Sequence, residues 1–94
     1  MRSNFSHLEE LIGGYFHQDW KTYASTAAAV LERYLNEWPA EDIPKVAKEL
    51  LAVLAQSDQA IDATMNLMEC GYWPAGDGMS YRDWLTQMAR RLAK

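Results

Sequence analysis

Four side chains in this sequence could, by type, hold a metal or share acid, base or nucleophilic work: His7, His17, Asp19 and Cys70. A zinc or iron site needs several of them converging at short spacings such as HxxxH, HExxH or CxxC, and no such pair is present. His17 and Asp19 stand two residues apart, which on a helix would turn them about 200° from one another. Cys70 precedes Gly71 at an expected helix C-terminus, where the dipole raises a thiol pKa, so it reads as a small buried hydrophobe. The neighbouring carboxylates Glu9-Glu10 and Glu41-Asp42 diverge by about 100° on a helix and do not suggest a shared proton. A Gly-x-Ser-x-Gly element, a glycine-rich phosphate loop and a Walker lysine are all missing. These residues predict a protein that is not an enzyme and uses no metal and no cofactor. The His17-Gln18-Asp19 group is then left for internal polar bonding, with Asp19 either capping the next segment or pairing with His17. His7 is expected in solvent.

The elements that position these residues are set by composition and periodicity. With 94 residues and 49% hydrophobic content, the chain suits one domain, residues 1–94, around one core. Four tryptophans and five tyrosines supply large buried areas for so short a chain. The N-terminal residues 1–9 lack an apolar stretch of the signal-peptide kind, and no run is long enough to cross a membrane. One cysteine makes an internal disulfide impossible. Together these features predict a cytoplasmic protein.

The net charge is −4, which argues against nucleic acid as a ligand, since phosphate binding needs a basic patch. The charge is also uneven. Residues 32–69 hold eight carboxylates against three cations, whereas residues 70–94 hold two against four. The middle of the chain therefore presents either an ordinary solvated surface or a negative field for a basic partner.

Apolar spacing predicts five helices and no strand. Ser6 and Glu9 fit a capping box for a first helix from about His7 to Gly13-Gly14. Ser25 or Thr26 caps a second, ending at Glu37 or Trp38, with Val30, Leu31, Tyr34, Leu35 and Trp38 along one stripe before Pro39 stops it. Asp42 is the expected N-cap of a third, with Pro44 in its first turn, burying Ile43, Val46, Ala47, Leu50, Val53 and Leu54. Lys45, Lys48, Glu49 and Gln56 should point outward. Ser57 or Asp58 caps a fourth, with Ile61, Met65 and Met68 inward, Leu67 at their flank and Gly71 as the residue that ends it. Residues 72–79 form an irregular loop. Ser80 and Asp83 then cap a fifth helix to about Ala93 that buries Tyr81, Trp84, Leu85, Met88 and Leu92, with Arg90, Arg91 and Lys94 at its C-terminal end.

Two aromatic segments stand out. In Leu11-Ile12-Gly13-Gly14-Tyr15-Phe16-His17-Gln18-Asp19-Trp20, a glycine pair interrupts an apolar stretch, although each glycine disfavours a helix interior by about 1 kcal/mol. Either a backbone passes close by, or the helix ends or bends so that Tyr15, Phe16 and Trp20 turn into a core. In the loop, Tyr72, Trp73 and Met79 form either a recognition surface, as tryptophan and tyrosine are favoured hot-spot residues, or a lid folded onto the helices.

The run Tyr15-Phe16-His17-Gln18-Asp19-Trp20, with Cys70-Gly71-Tyr72-Trp73 and Ser80-Tyr81-Arg82-Asp83-Trp84-Leu85 closing the chain, resembles the CdiI-type immunity proteins of bacterial contact-dependent growth inhibition systems. The resemblance covers nearly the whole length and departs at Lys21-Thr22-Tyr23, where a more acidic or small-residue turn is expected. It implies a compact all-α bundle that binds a cognate toxin domain, commonly a nuclease, and covers or distorts its active site. An acidic inhibitor suits a basic nuclease cleft. The expected partner-binding residues are the outward carboxylates Glu37, Glu41, Asp42, Asp58, Asp62 and Glu69, with Tyr72 and Trp73 of the loop. The alternatives are a helical adaptor or antitoxin-like module for another basic protein, and a small metal-dependent enzyme using His17 and Asp19. The oligomeric state is left open.

Overall fold

The computed structural model describes residues 5–17, 19–22 and 24–93. Gln18 of the aromatic run, Tyr23 of the connection after it and Lys94 of the C-terminal basic group lie outside these residues, as do residues 1–4. Among the described residues five α-helices follow in order: α1 Ser6–Tyr15, α2 Ala27–Glu37, α3 Ile43–Leu54, α4 Asp58–Leu67 and α5 Tyr81–Leu92. Single turns of 3₁₀ helix occupy Trp20–Thr22, Ala40–Asp42 and Pro74–Asp77. No strand occurs among the described residues. The architecture is all-α, with α3 packed against α1, α4 and α5.

The start of α1 departs from the expected capping box. Ser6 is already helical, and the N-cap Phe5 offers no side-chain bond. The cap comes instead from α3. Glu49 accepts a hydrogen bond from the Leu8 backbone N–H (3.0 Å) and another from His7 Nδ1 (2.6 Å). A carboxylate at a helix N-terminus satisfies a free donor and suits the dipole. Glu49 and His7, both expected in solvent, are accordingly half-buried. Leu8, Leu11 and Ile12 then line the buried side of α1.

The helix runs through both glycines to Tyr15, and Gly13 has a specific reason to lack a side chain. A Cβ there would lie 2.9 Å from the backbone carbonyl oxygen of Met68. Close passage of a backbone is therefore the reason for this glycine. A side chain on Gly14 would meet only the flexible Glu10 carboxylate, at 3.8 Å.

Thr26 caps α2 by accepting from Ala29 N–H (3.1 Å), and Val30, Leu31 and Tyr34 are buried. Tyr34 stacks on Trp38 and meets Tyr15 edge-on. Its hydroxyl is buried with no hydrogen-bond partner among the described residues, and burial pushes its pKa up to about 12.

Asp42 is not the side-chain cap of α3. It closes the preceding 3₁₀ turn in helical geometry and pairs with Lys45 at 3.6 Å. Because the chain enters α3 already helical, no extended N-cap position exists for it to fill. Pro44 takes the first turn as expected, and Val46, Leu50 and Val53 are buried.

Ser57 caps α4, accepting from Ala60 N–H at 3.2 Å. The expected ending at Gly71 is corrected. The helix ends at Leu67, and Glu69 takes the left-handed conformation, φ 58°. Glu69 N–H donates to Asn66 O and Cys70 N–H to Met65 O (both 3.1 Å), the two bonds of a Schellman motif with Glu69 as its C′ residue. This early stop brings Met68 O against Gly13 and lets Gly71 N–H donate to Phe16 O. Leu67, expected to flank the core, points outward and is 84% exposed.

The fifth helix begins with a full capping box between Ser80 and Asp83 and buries Trp84, Leu85, Met88 and Leu92. Arg82 on its first turn donates to the Leu54 carbonyl (2.9 Å), the Gln56 carbonyl (2.5 Å) and Asp58. One guanidinium thus ties the end of α3, the start of α4 and the start of α5 together.

Candidate partner-binding surface

Most of the aromatic run serves packing. Phe16 and Trp20 are 0% and 6% exposed. Phe16 meets Trp84 edge-on with centroids 4.9 Å apart, and Trp20 meets Tyr72 at 5.5 Å. Tyr72 closes the group on Trp84 at 4.8 Å, so run, loop and last helix share one aromatic cluster. Tyr15 remains half-buried. Its hydroxyl donates to Glu37 (2.5 Å) and accepts from Trp38 Nε1 (3.0 Å).

His17 and Asp19 meet through the backbone. His17 Nδ1 accepts from Asp19 N–H (3.0 Å), and the Asp19 carbonyl accepts from Thr22 N–H (3.0 Å) to start the 3₁₀ turn. Among the described residues, no three His, Cys, Asp or Glu side chains come together in a group that could hold a metal. Cys70 is half-buried, and desolvation outweighs its bond to the Tyr72 carbonyl, pushing the thiol pKa up to about 11. At neutral pH it is a thiol, a poor nucleophile.

The carboxylates named from sequence separate into two kinds. Glu37 is held by Tyr15 and Arg33, and these bonds, the tyrosine's first, lower its pKa. Asp42 pairs with Lys45, and Asp58 with Arg82. By contrast, Glu41, Asp62 and Glu69 are exposed and in no ion pair among the described residues. The structure does not gather all six acids. The starts of α3 and α4, with Glu41-Asp42 and Asp58-Asp62, lie at opposite ends of the 12-residue α3, about 18 Å apart at 1.5 Å per residue. Sequence reading missed Glu32, whose carboxylate takes two bonds from Arg91 (2.6 and 2.7 Å) and so bridges α2 to α5. The pair is separated by 59 positions, and no local signal joins them.

The loop divides its two aromatics. Tyr72 is 5% exposed, and its hydroxyl donates to Asp77 (2.6 Å). Trp73 points outward and is 69% exposed. Two cavities border the loop, and Trp73 lines the first of them. One, of about 390 Å³, lies between Trp20, Lys21, Ser25, Trp73 and Asp77. The second, of about 360 Å³, runs between α2 and α5 over Leu31, Met79, Trp84 and Met88. Tyr72 and Asp77 border both.

This arrangement is an all-α domain with exposed carboxylates, an outward tryptophan and two cavities bordered by its loop. The family described as CdiI immunity protein matches residues 4–92, and the chain belongs to that family. Neither the curated proteins nor the solved structures contain a significant match to it. No helix among the described residues is long and apolar enough to cross a membrane.

Proposed function

We propose that this chain is the immunity partner of a contact-dependent growth inhibition toxin and neutralises the toxin domain by stoichiometric binding over its active site. Membership of the CdiI immunity family across residues 4–92 carries this reading. The toxin domain is a nuclease with a basic substrate cleft. That choice is supported by the net charge of −4 and by Glu41, Asp62 and Glu69, which stand exposed with no cation paired to them among the described residues. Opposite fields raise the encounter rate of inhibitor and enzyme, and the effect falls with salt. Glu37, Asp42 and Asp58 contribute less steering, because each charge is already balanced by a neighbour. The inhibitor itself needs no cofactor, binds no nucleic acid or membrane, and works in the cytoplasm, where a nuclease finds its substrate.

The test is co-expression with the toxin domain encoded beside it. Survival of the host, a complex that co-purifies and loss of nucleic-acid cleavage are expected. Cell death at full expression of both chains would overturn the proposal, and capture of an unrelated basic protein in its place would favour the adaptor reading.

A further inference from the structure

We propose that the toxin domain docks on the face formed by the Trp73 loop and the adjoining groove between α2 and α5. Trp73 is the anchor, and the groove receives a bulky apolar side chain of the toxin that stands next to a lysine or arginine. This rests on the reading that the chain binds a toxin.

Trp73 is exposed yet held. Its carbonyl accepts from Gly76 N–H (3.1 Å), and a Cβ on Gly76 would touch the indole at 3.4 Å, so the ring lies over that glycine. The loop around it is fixed by the buried Pro74, by Met79 N–H donating to the Pro74 carbonyl (3.0 Å) and by Gly78, whose φ of 77° suits glycine. An aromatic fixed before binding loses little conformational freedom on contact, the property that makes tryptophan a hot-spot residue.

The groove, which the loop borders through Tyr72, Asp77 and Met79, has an apolar floor of Leu31, Met79, Trp84 and Met88, and methionine adapts its shape to an incoming side chain. Its volume, about 360 Å³, has room for a bulky one. The Glu32–Arg91 bridge joins the helices on either side of it. The exposed Asp77 borders both cavities, and its carboxylate favours a cation beside the apolar insert. Two copies of a chain with net charge −4 repel one another, whereas a basic toxin is attracted. Leu51 and Leu67, the other large exposed apolar side chains among the described residues, border neither cavity.

The experiment measures the affinity of the purified toxin domain for wild type, Trp73→Ala, Ala28→Tyr and Leu67→Ala, with a melting curve for each. Ala28 is exposed and borders the groove, so a tyrosine there fills it from outside the core. Trp73→Ala is expected to melt within a few degrees of wild type and to weaken binding by about 30-fold or more. Ala28→Tyr should weaken it by about 10-fold, and Leu67→Ala by less than twofold. If wild type binds the toxin while Trp73→Ala and Ala28→Tyr bind it equally well, the docking face is wrong and the immunity function stands. If wild type does not bind the toxin at all, the functional reading falls first. Self-association of wild type that Trp73→Ala abolishes would assign the face to a second copy and overturn the proposal.

Discussion

The segments 15–20 and 72–73 are both aromatic, both flanked by glycine and both part of one cluster, yet they treat solvent differently. Phe16 and Trp20 are 0% and 6% exposed, and Tyr72 joins them at 5%, while its neighbour Trp73 is 69% exposed. The difference follows from the backbone. Around Phe16 the chain leaves a helix and enters a 3₁₀ turn, a curved path that keeps Phe16 and Trp20 on one side. Trp73 is extended (φ −114°, ψ 94°), and successive side chains on extended backbone face opposite ways. With Tyr72 committed to the core, Trp73 faces out. Aromatic content alone does not separate core from surface here; the local path of the chain does.

That contrast can be broken at the core. Phe16→Ala and Trp20→Ala should each destabilise the protein by about 3–5 kcal/mol, close to the whole stability of a small domain. Chemical denaturation of each variant measures this, and melting within a few degrees of wild type would place the run outside the core. A smaller effect separates the two glycines beneath it. Gly13→Ala pushes a methyl against the Met68 carbonyl and should destabilise by about 1–2 kcal/mol. Gly14→Ala has room and should stabilise by about 0.5–1 kcal/mol. Denaturant midpoints with opposite signs support the close backbone passage, and equal shifts contradict it.

The protonation of buried groups near both segments gives a further difference. Burial raises the pKa of Cys70 to about 11 from 9.0, and those of Tyr34 and Tyr72 to about 12 from 10.0. The unfolded chain therefore releases these protons first. The associated stability is complete below pH 9 and is lost as pH rises through the folded values, beginning with Cys70. Tm is expected to fall between pH 9 and 11, with a shallower early fall in Cys70→Ala. The smallest expected effect is on the acids. Reversing Glu41, Asp62 or Glu69 to lysine should slow toxin association a few-fold at low salt and leave dissociation nearly unchanged, whereas Trp73→Ala acts on dissociation. Stopped-flow rates at two salt concentrations distinguish the two.

Much of the fold was legible because its signals are local. The stripes of α2 and α5 and the caps at Thr26, Ser57 and Ser80-Asp83 depend on residues within a turn of each other. What escaped was long-range. Glu49 caps α1 from 41 positions away, Arg82 reaches back to α3, and Arg91 finds Glu32 across the groove. Of the balanced carboxylates only Asp58 depends on such a reach, to Arg82; Glu37 with Arg33 and Asp42 with Lys45 are i,i+4 and i,i+3 pairs whose spacing the sequence already carried. The end of α4 was misplaced for a related reason. Gly71 is the better left-handed residue by type, but Met68 must turn toward Gly13, so Glu69 takes that conformation.

The most direct test of the account is a titration of the toxin domain's nucleic-acid cleavage with the purified protein. Activity is predicted to fall linearly and reach zero near one equivalent, with Trp73→Ala, still folded, requiring a large excess for the same effect. Cleavage that continues unchanged at several equivalents of wild type, or that stops at a small fraction of one equivalent, would contradict inhibition by stoichiometric binding.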